Sequence, residues 1–375
     1  MKRRVPLLDL SAQHTPIREE ILAAVTGVID SNQYILGPDL RRLEEEIASY
    51  CGVSHAIGCA SGSDALYLSL LGLGIGPGDT VLTVPFTFFA TAGAIARTGA
   101  RPVFVDIDPQ TFNMDPDSLA EALRSHPGAR AILPVHLYGG CADMDPILEL
   151  AAEYGRPVIE DGAQSIGAGY KRRQALGLGT AGCLSFFPSK NLGGPGDAGM
   201  ITTNDGALAE KLASLRVHGE TERYLHRWVG TNSRMDTLQA AVLRVKLRHL
   251  DEWIQIRQRN AALYASELGG AGIPVTPPVA ADYQTRHVFN QFVIRCERRD
   301  ELRARLEESG VGSQIYYPVP LHLQECFAYL GYGEGAFPAS EQACREVLAL
   351  PVAPGVTEED AAYVSKRIRE FYQRG

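Results

Sequence analysis

Ser185-Phe186-Phe187-Pro188-Ser189-Lys190-Asn191 lies near the middle of this 375-residue chain and holds a lysine with no charged neighbour. Several glycines follow it closely, at Gly193, Gly194, Gly196 and Gly199. A lysine in such apolar, tightly turning backbone tends to be buried, and burial favours the neutral amine, which can add to a carbonyl. The stretch therefore predicts a reactive Lys190; the alternative is a surface lysine between two turns.

A second stretch, upstream, supplies groups that such a lysine needs. Pro157-Val158-Ile159-Glu160-Asp161 indicates a short buried strand that ends in carboxylates, and Gly162-Ala163-Gln164 follows it. A carboxylate at a strand end, a nearby amide and a lysine from another strand are typical of a pyridoxal phosphate site. We therefore expect Asp161, Gln164 and Lys190 to lie together.

Composition excludes several other classes of protein. The chain has 36 basic and 44 acidic residues, a net charge of −8, which disfavours a nucleic-acid partner. No apolar run approaches the ~20 residues of a membrane-spanning helix. The seven cysteines are scattered without a Cys-x-x-Cys pair, and no His-Glu-x-x-His motif occurs. We expect reduced thiols, a cytoplasmic location, no metal and no membrane contact.

The first half of the chain alternates between predicted strands and predicted helices. The strands are expected at 55–59, 80–84, 102–105, 131–135 and 158–160, and the helices near 16–30, 40–50, 64–71, 90–98, 118–124 and 144–154. This alternation predicts an α/β domain with a mostly parallel sheet, whose ligands lie at the carboxyl ends of the strands. Ser63, Phe88, His136 and Asp161 fall at such ends.

One of these strand ends has the pattern of an anion site. Ala60-Ser61-Gly62-Ser63-Asp64 separates a strand from a helix, so the unpaired N–H groups of the helix could face a phosphate. The alternative is ordinary N-capping by Ser63 or Asp64. Two Gly-x-Gly-x-x-Gly matches, beginning at Gly177 and Gly194, precede strand-like runs rather than helices, which disfavours a dinucleotide site.

The second half predicts a smaller domain. Residues 235–259 have the pattern of one long helix, and the Gly- and Pro-rich stretch 269–278 indicates a boundary nearby. Beyond it we expect strands at 289–294 and 312–317 and helices at 300–309, 340–349 and 358–372. We assign residues 1–250 to a large domain and 251–375 to a small C-terminal α+β domain.

Three motifs carry a resemblance to a known family. Asp161-Gly162-Ala163-Gln164-Ser165, Ser185–Lys190 and Gly230-Thr231-Asn232-Ser233-Arg234-Met235-Asp236 are similar to the signatures of the DegT/DnrJ/EryC1/StrS family. The resemblance extends from Leu7 to His322. It implies a pyridoxal phosphate-dependent nucleotide-sugar aminotransferase with the aspartate aminotransferase fold, which is fold type I of these transferases.

The resemblance also implies a role for each matching residue. Lys190 is the catalytic residue, which bonds to the cofactor and moves a proton to and from the substrate carbon. Asp161 faces the pyridine nitrogen, Gln164 the phenolic oxygen, and Phe88 stacks on the ring. The phosphate side is assigned to Gly62, Ser63, Asp64, Ser185 and, from a second subunit, Asn232, which implies a homodimer. The sugar-nucleotide side is assigned to Tyr34, Arg234, Tyr316, Tyr317 and His322.

For the substrate, the resemblance favours amination by glutamate of UDP-2-acetamido-2-deoxy-3-oxo-D-glucuronate, for O-antigen or other surface polysaccharide. The basic segment Arg223–Arg234 suits an anionic diphosphate or uronate. Tyr316-Tyr317-Pro318 stands where many relatives have His-Tyr-Pro, so 4-keto (perosamine-type) and 3-keto-6-deoxy sugars are alternatives. A dehydratase of this fold would replace Lys190 by histidine. The remaining alternative is a regulatory protein that binds the cofactor without turnover.

Overall fold

The computed structural model describes residues 3–373. Its strands are β1 (His55–Cys59), β2 (Thr80–Thr83), β3 (Arg101–Phe104), β4 (Ala131–Leu133), β5 (Ile159–Asp161), β6 (Gly169–Tyr170), β7 (Arg173–Gln174), β8 (Ala181–Ser185), β9 (Gly199–Thr203), β10 (Glu220–Glu222), β11 (Leu225–His226), β12 (Val275–Thr276), β13 (Phe292–Cys296) and β14 (Val347–Leu350). Its α-helices are α1 (Ser11–His14), α2 (Arg18–Ser31), α3 (Pro38–Cys51), α4 (Gly62–Gly72), α5 (Ala90–Arg97), α6 (Pro116–Ser125), α7 (Met144–Glu153), α8 (Gly206–Leu215), α9 (Thr237–Leu247), α10 (Leu250–Leu268), α11 (Arg299–Glu308), α12 (Pro338–Glu346) and α13 (Glu358–Gln373).

A mostly parallel sheet forms the centre of the molecule. Strands pair in the orders β3-β2-β4 and β5-β8-β9-β1. Parallel bridges from Ile132 to Val158 and from Val135 to Asp161 join the two groups between β4 and β5. Within this sheet β9 alone runs opposite to its neighbours β1 and β8. The predicted fold class, an α/β protein of the pyridoxal phosphate-dependent transferase type with a mostly parallel sheet, is confirmed.

Both faces of the sheet are covered, as parallel strands require. Side chains alternate between the faces along each strand. Leu82 and Ile132 pack into one buried cluster, whereas their neighbours Val81 and Leu133 pack into another on the opposite face. The carboxyl ends of the strands are thereby left as the open edge of the sheet, and the site lies there.

The C-terminal part has its own antiparallel sheet, with the order β12-β13-β14. A separate buried cluster joins this sheet to α10, α11 and α13, and Val5 from the N-terminal segment packs into the same cluster. The division into domains at residue 250 stays a prediction. The first two residues of the large domain, 1–2, and the last two of the small domain, 374–375, lie outside the described part of the chain.

Four predicted elements of the second half differ from the structure. The helix predicted at 235–259 is two helices, because the N–H of His249 bonds back to Lys246 O and closes α9 with a tight turn. The helix predicted at 340–349 ends at Glu346. The run 347–350 is strand β14, since a short apolar run does not distinguish helix from strand.

The other two differences concern predicted strands. The one at 289–294 begins only at Phe292. The one at 312–317 is reduced to a single bridge at Gln314. Its remainder bends toward the main sheet and brings Tyr316 and Tyr317 to the open edge.

Within residues 3–373, no helix is long and apolar enough to cross a membrane, and no group of three potential metal ligands occurs. The seven cysteines are all free thiols, and six of them are buried.

Candidate active site

A cavity of about 450 Å³ opens at the carboxyl edge of the main sheet. It is lined by Ser61, Gly62, Ser63, Leu66, Thr87, Phe88, Ala90, Val135, Leu137, Asp161, Ala163, Gln164, Ser185, Phe187, Ser189, Lys190, Asp197, Gln291, Tyr316 and Tyr317. Strand ends β1, β2, β4, β5 and β8 supply most of this lining. The structure thus brings together Gly62, Ser63, Phe88, Asp161, Gln164, Ser185, Lys190, Tyr316 and Tyr317, all of which the sequence placed at the site.

Lys190 lies in a turn that leaves β8 and enters the cavity. The N–H of Lys190 donates to Phe187 O over 2.9 Å, and Gly194 N donates to Phe186 O over 2.7 Å, which holds the turn closed. Burial lowers the pKa of the Lys190 ammonium from 10.5 to about 8, although the negative charge of Asp161 opposes the shift. The neutral fraction of this amine near physiological pH is therefore much greater than that of an exposed lysine, as the sequence predicted for a nucleophile.

The depressed pKa of Lys190 predicts a pH profile for cofactor attachment. In cofactor-free protein, the rate at which pyridoxal phosphate couples to Lys190 is expected to rise with pH and to level off above about 8. An exposed lysine would continue to gain rate up to about pH 10. Trapping with borohydride between about pH 6 and about pH 10, followed by mass spectrometry, measures this. A profile still rising at the top of that range would contradict the buried setting.

Asp161 ends β5 and is only 5% exposed. Its Oδ2 accepts a hydrogen bond from Thr91 Oγ1 over 2.7 Å, and its Oδ1 accepts one from Ala163 N over 3.2 Å. No ion pair to Asp161 occurs among the described residues, and burial raises the pKa of its carboxyl group despite these two donors. A cation in the cavity would lower that pKa again and hold Asp161 as a carboxylate.

The N-terminus of α4 forms the polar end of the cavity. Ser61 is the N-cap, and its hydroxyl accepts from Asp64 N over 3.1 Å, so the capping predicted for Ser63 or Asp64 belongs to Ser61. Ser63 is exposed and remains available to a ligand. Gly62 touches the end of β8 so closely that an added Cβ would lie 2.5 Å from Ser185 Cβ. This contact places the first turn of α4 directly beside Ser185, where its N–H groups can bind a phosphate.

The contact between Gly62 and Ser185 predicts that any side chain added at position 62 will disturb the fold. Gly62→Ala is expected to destabilise the fold by about 1–3 kcal/mol, because the new methyl group must push the two elements apart. The same change should weaken cofactor retention. Denaturant unfolding and cofactor titration measure the two effects. Gly27→Ala in α2 is the matched control, since nothing lies within 4 Å of its added Cβ, and it should be neutral or stabilising.

Aromatic and amide groups form the remaining walls. Gln164 Oε1 accepts from Tyr138 N over 2.6 Å, and its Nε2 donates to the Tyr317 hydroxyl over 3.3 Å. The rings of Phe88 and Tyr317 lie 6.2 Å apart. Phe88 borders the cavity and is 56% exposed.

Five predicted site residues do not line this cavity. The carboxylate of Asp64 is held by Arg97 over 2.7 Å and by Ser233 over 2.8 Å, so it braces α4 from behind. Tyr34 and Asn232 are exposed away from the cavity, and Arg234 makes no ion pair within residues 3–373. His322 is 1% exposed and bonds Glu341 over 3.1 Å. Phe104, Tyr332 and Phe337 lie against its ring, and it does not line the catalytic cavity.

The sequence reasoning missed several residues at the site. Thr91, which holds Asp161, lies four positions after Thr87, and their hydroxyls are 3.0 Å apart. This spacing at the start of a helix was a usable signal. Gln291 comes from the second half of the chain, and no local pattern marks it.

The residues present fit pyridoxal phosphate. Asp161 is a buried carboxylate without a cationic partner in the described chain, which a protonated pyridine nitrogen would supply. Lys190 is a largely desolvated amine, and the N–H groups in the first turn of α4, beside Ser185, are able to bind an anion. Carboxylate, amine and helix terminus meet in one cavity at the carboxyl edge of a mostly parallel sheet. This combination defines a pyridoxal phosphate-dependent transferase.

Comparison with known proteins gives the family. The model of the DegT/DnrJ/EryC1/StrS aminotransferase family matches residues 15–369, and the chain belongs to that family. The crystal structure of Streptomyces venezuelae DesV with a ketimine intermediate superposes with a TM-score of 0.96, at 44% identity over 99% of each chain. The protein is thus an aminotransferase, and its cofactor is pyridoxal phosphate.

Three curated relatives cover nearly the whole chain. The "Pleiotropic regulatory protein" of Geobacillus stearothermophilus is 50% identical over 98% of this chain and 99% of its own. The dTDP-3-amino-3,4,6-trideoxy-alpha-D-glucose transaminase of Streptomyces venezuelae is 44% identical over 99% and 97%. The UDP-2-acetamido-2-deoxy-3-oxo-D-glucuronate aminotransferase of Pseudomonas aeruginosa is 43% identical over 93% and 95%.

Proposed function

We propose that this protein transfers the amino group of an amino acid, with L-glutamate as the first choice, to a nucleotide-linked keto-sugar. The observation that carries this proposal is the convergence of the Lys190 amine and the Asp161 carboxylate on one cavity beside the N-terminus of α4. The preferred acceptor is UDP-2-acetamido-2-deoxy-3-oxo-D-glucuronate. The reaction would take place in the cytoplasm, and its product would be a precursor of O-antigen or another surface polysaccharide. The relative from Pseudomonas aeruginosa supports this acceptor.

Each site residue has a separate task in this proposal. Pyridoxal phosphate, when bound, supplies a ring that withdraws electrons from the reacting carbon. Lys190 would hold the cofactor, and its amine would move a proton to and from the reacting carbon. Asp161, oriented by Thr91, would keep the ring nitrogen protonated. Gln164 would hold the phenolic oxygen, and Phe88 would cover the ring.

The phosphate side and the sugar side complete the proposed assignment. Gly62, Ser63 and Ser185 would bind the phosphate, and Asp64 would fix the first turn of α4, which carries Gly62 and Ser63. Tyr316 and Tyr317 border the space left for the sugar. Tyr34, Arg234 and His322 stay proposals for the sugar-nucleotide side without a place in this cavity.

A homodimer is part of the proposal. Tyr224, Leu225 and Val229 are 76%, 59% and 95% exposed around the hairpin β10–β11, which is unusual for apolar side chains. Asn232 lies on the same exposed segment and does not line the catalytic cavity of its own chain. A second copy seated on this segment would cover the apolar residues and receive Asn232 at its phosphate side.

The acceptor is tested by a panel of nucleotide sugars. Purified protein with glutamate is offered 3-oxo and 4-oxo sugars linked to UDP, dTDP and GDP, and aminated products are measured by mass spectrometry. The preferred acceptor should be turned over most efficiently. Faster amination of a 4-oxo sugar, or of a 3-oxo-6-deoxy sugar linked to dTDP, would replace it with one of the alternatives. The dTDP-linked 3-oxo-6-deoxy sugar is included in the panel because the relative from Streptomyces venezuelae is named a dTDP-sugar transaminase.

A non-catalytic regulatory role is the second candidate, because one relative is named a pleiotropic regulatory protein. Glutamate should convert the visible absorbance of the bound cofactor to that of its pyridoxamine form if the protein is catalytic. A cofactor that stays unchanged under excess donor would favour the regulatory role.

A further inference from the structure

Arg257 is a buried cation with unused hydrogen-bonding capacity. It lies on α10, and its side chain is only 2% exposed. Its Nη1 donates to Phe289 O over 3.2 Å and to Asn290 O over 3.3 Å, whereas its Nε has no partner. No carboxylate lies within 4 Å of the guanidinium among residues 3–373. A buried charge without a counter-ion is costly, so such a group indicates a missing anion.

A small space adjoins this guanidinium. It has a volume of about 50 Å³, and Arg257 and Asn290 contribute to its walls. That is room for about three water molecules, and therefore for one carboxylate group. Arginine binds carboxylates through two parallel N–H donors, and Nε of Arg257 is a buried donor that has no partner among the described residues.

The small space shares walls with the catalytic cavity. Ser189, Gln291 and Tyr316 line both of them. Ser189 directly precedes Lys190, so one of the shared walls adjoins the residue that carries the reactive amine. A molecule whose amine lies at Lys190 could extend its carboxylate between these three residues to Arg257.

The catalytic cavity itself offers little positive charge to a carboxylate. Among its lining residues in the described chain, Lys190 is the single basic side chain. An amino-acid donor brings at least one carboxylate into the cavity, and Lys190 cannot neutralise it while holding the cofactor. Burial lowers the pKa of Arg257 to about 10, which still leaves the guanidinium charged at neutral pH.

We propose that Arg257 binds a carboxylate of the amino-acid donor, reached from the catalytic cavity past Ser189, Gln291 and Tyr316. This inference rests on the proposed aminotransferase function, because it assigns the donor side of the same site. In this contact, the buried guanidinium of Arg257 binds a single carboxylate group.

The test is the binding of glutarate, a dicarboxylate without an amine, to the holoenzyme by calorimetry. Arg257→Gln keeps an amide donor for the carbonyls of Phe289 and Asn290 but removes the charge. It should raise the Kd of glutarate roughly 10- to 100-fold, the usual effect of losing a hydrogen bond to a charged group. Arg257→Lys should recover part of the loss. Borohydride should still fix the cofactor on Lys190 in both variants.

Matched variants separate binding from folding. Asn260 lies on the same helix, and its Nδ2 donates to Val352 O and Val356 O at 3.3 and 3.0 Å without lining either space. Asn260→Ala should lower stability and leave the glutarate Kd within about twofold. If Arg257 variants fail to fold, Ala353→Val narrows the small space with Arg257 in place and should weaken glutarate similarly.

Donor half-reactions identify which carboxylate is bound. Alanine has only the α-carboxylate, 4-aminobutyrate only the distal one, and propylamine neither. Arg257→Gln should slow the donors that use the Arg257 contact and spare propylamine. An unchanged glutarate Kd, an equal loss with propylamine, or a defect confined to the keto-sugar step would overturn the inference. Glutarate binding needs no sugar, so a wrong acceptor assignment leaves this result intact.

Discussion

Replacing Lys190 with alanine is expected to abolish covalent attachment of the cofactor and to remove nearly all transamination. The turn after β8 places this amine in the cavity, and burial lowers its pKa to about 8. Turnover should fall by roughly 10²- to 10⁴-fold, the usual contribution of a positioned acid–base group, with a further loss from the missing covalent step. Borohydride reduction and peptide mapping should find the cofactor adduct on Lys190 in the wild type and nowhere in Lys190→Ala.

A second buried lysine provides the control. Lys246 is 1% exposed, and burial lowers its pKa to about 8 as well. Its Nζ donates to Gly193 O and lies 3.0 Å from His14 Nε2, away from the cavity lining. Lys246→Met should therefore retain the adduct on Lys190. An adduct that moves to Lys246, or survives unchanged in Lys190→Ala, would disprove the assignment.

Asp161→Asn is expected to separate cofactor capture from catalysis. The amide keeps the shape of the side chain and its contact with Thr91, but it cannot hold a proton on the ring nitrogen. Turnover should fall by about 10²–10³-fold, the size of effect seen when one electrostatic stabiliser is removed from an active site. Borohydride should still fix the cofactor on Lys190, and single-turnover absorbance measures the slowed step.

Thr91→Val tests the same arrangement more gently. It removes the hydroxyl that donates to Asp161 Oδ2 over 2.7 Å while leaving the charge in place. A smaller loss of turnover than in Asp161→Asn is expected. Equal losses in the two variants would mean that orientation, rather than charge, is the main contribution of Asp161.

The sequence was most informative where short motifs coincide with strand ends. The β5 carboxylate, the α4 turn and the Lys190 loop are local patterns, and the topology of a parallel sheet then requires them to meet. Asp64 shows the limit of this reasoning, because a residue in the right turn can point backward toward Arg97 and Ser233.

Contacts between distant segments could not be predicted. Gln291 and the Tyr316 loop reach the cavity only because the C-terminal sheet docks beside the main one, and no spacing in the chain encodes that docking. His322 illustrates the converse: its loop matched the family, but three aromatic rings and Glu341 enclose it. The break at His249 also lacks the Gly or Pro that normally marks the end of a helix.

The contact of Ser233 with Asp64 has a consequence for an assembled protein. Ser233 holds the first turn of α4 in its own chain, and its neighbour Asn232 faces outward. In the proposed dimer, a shift of this segment would alter the phosphate side of both active sites at once. Binding of cofactor to one subunit would then change the cofactor affinity of the other. Stepwise titration of the cofactor-free dimer should therefore show two unequal affinities.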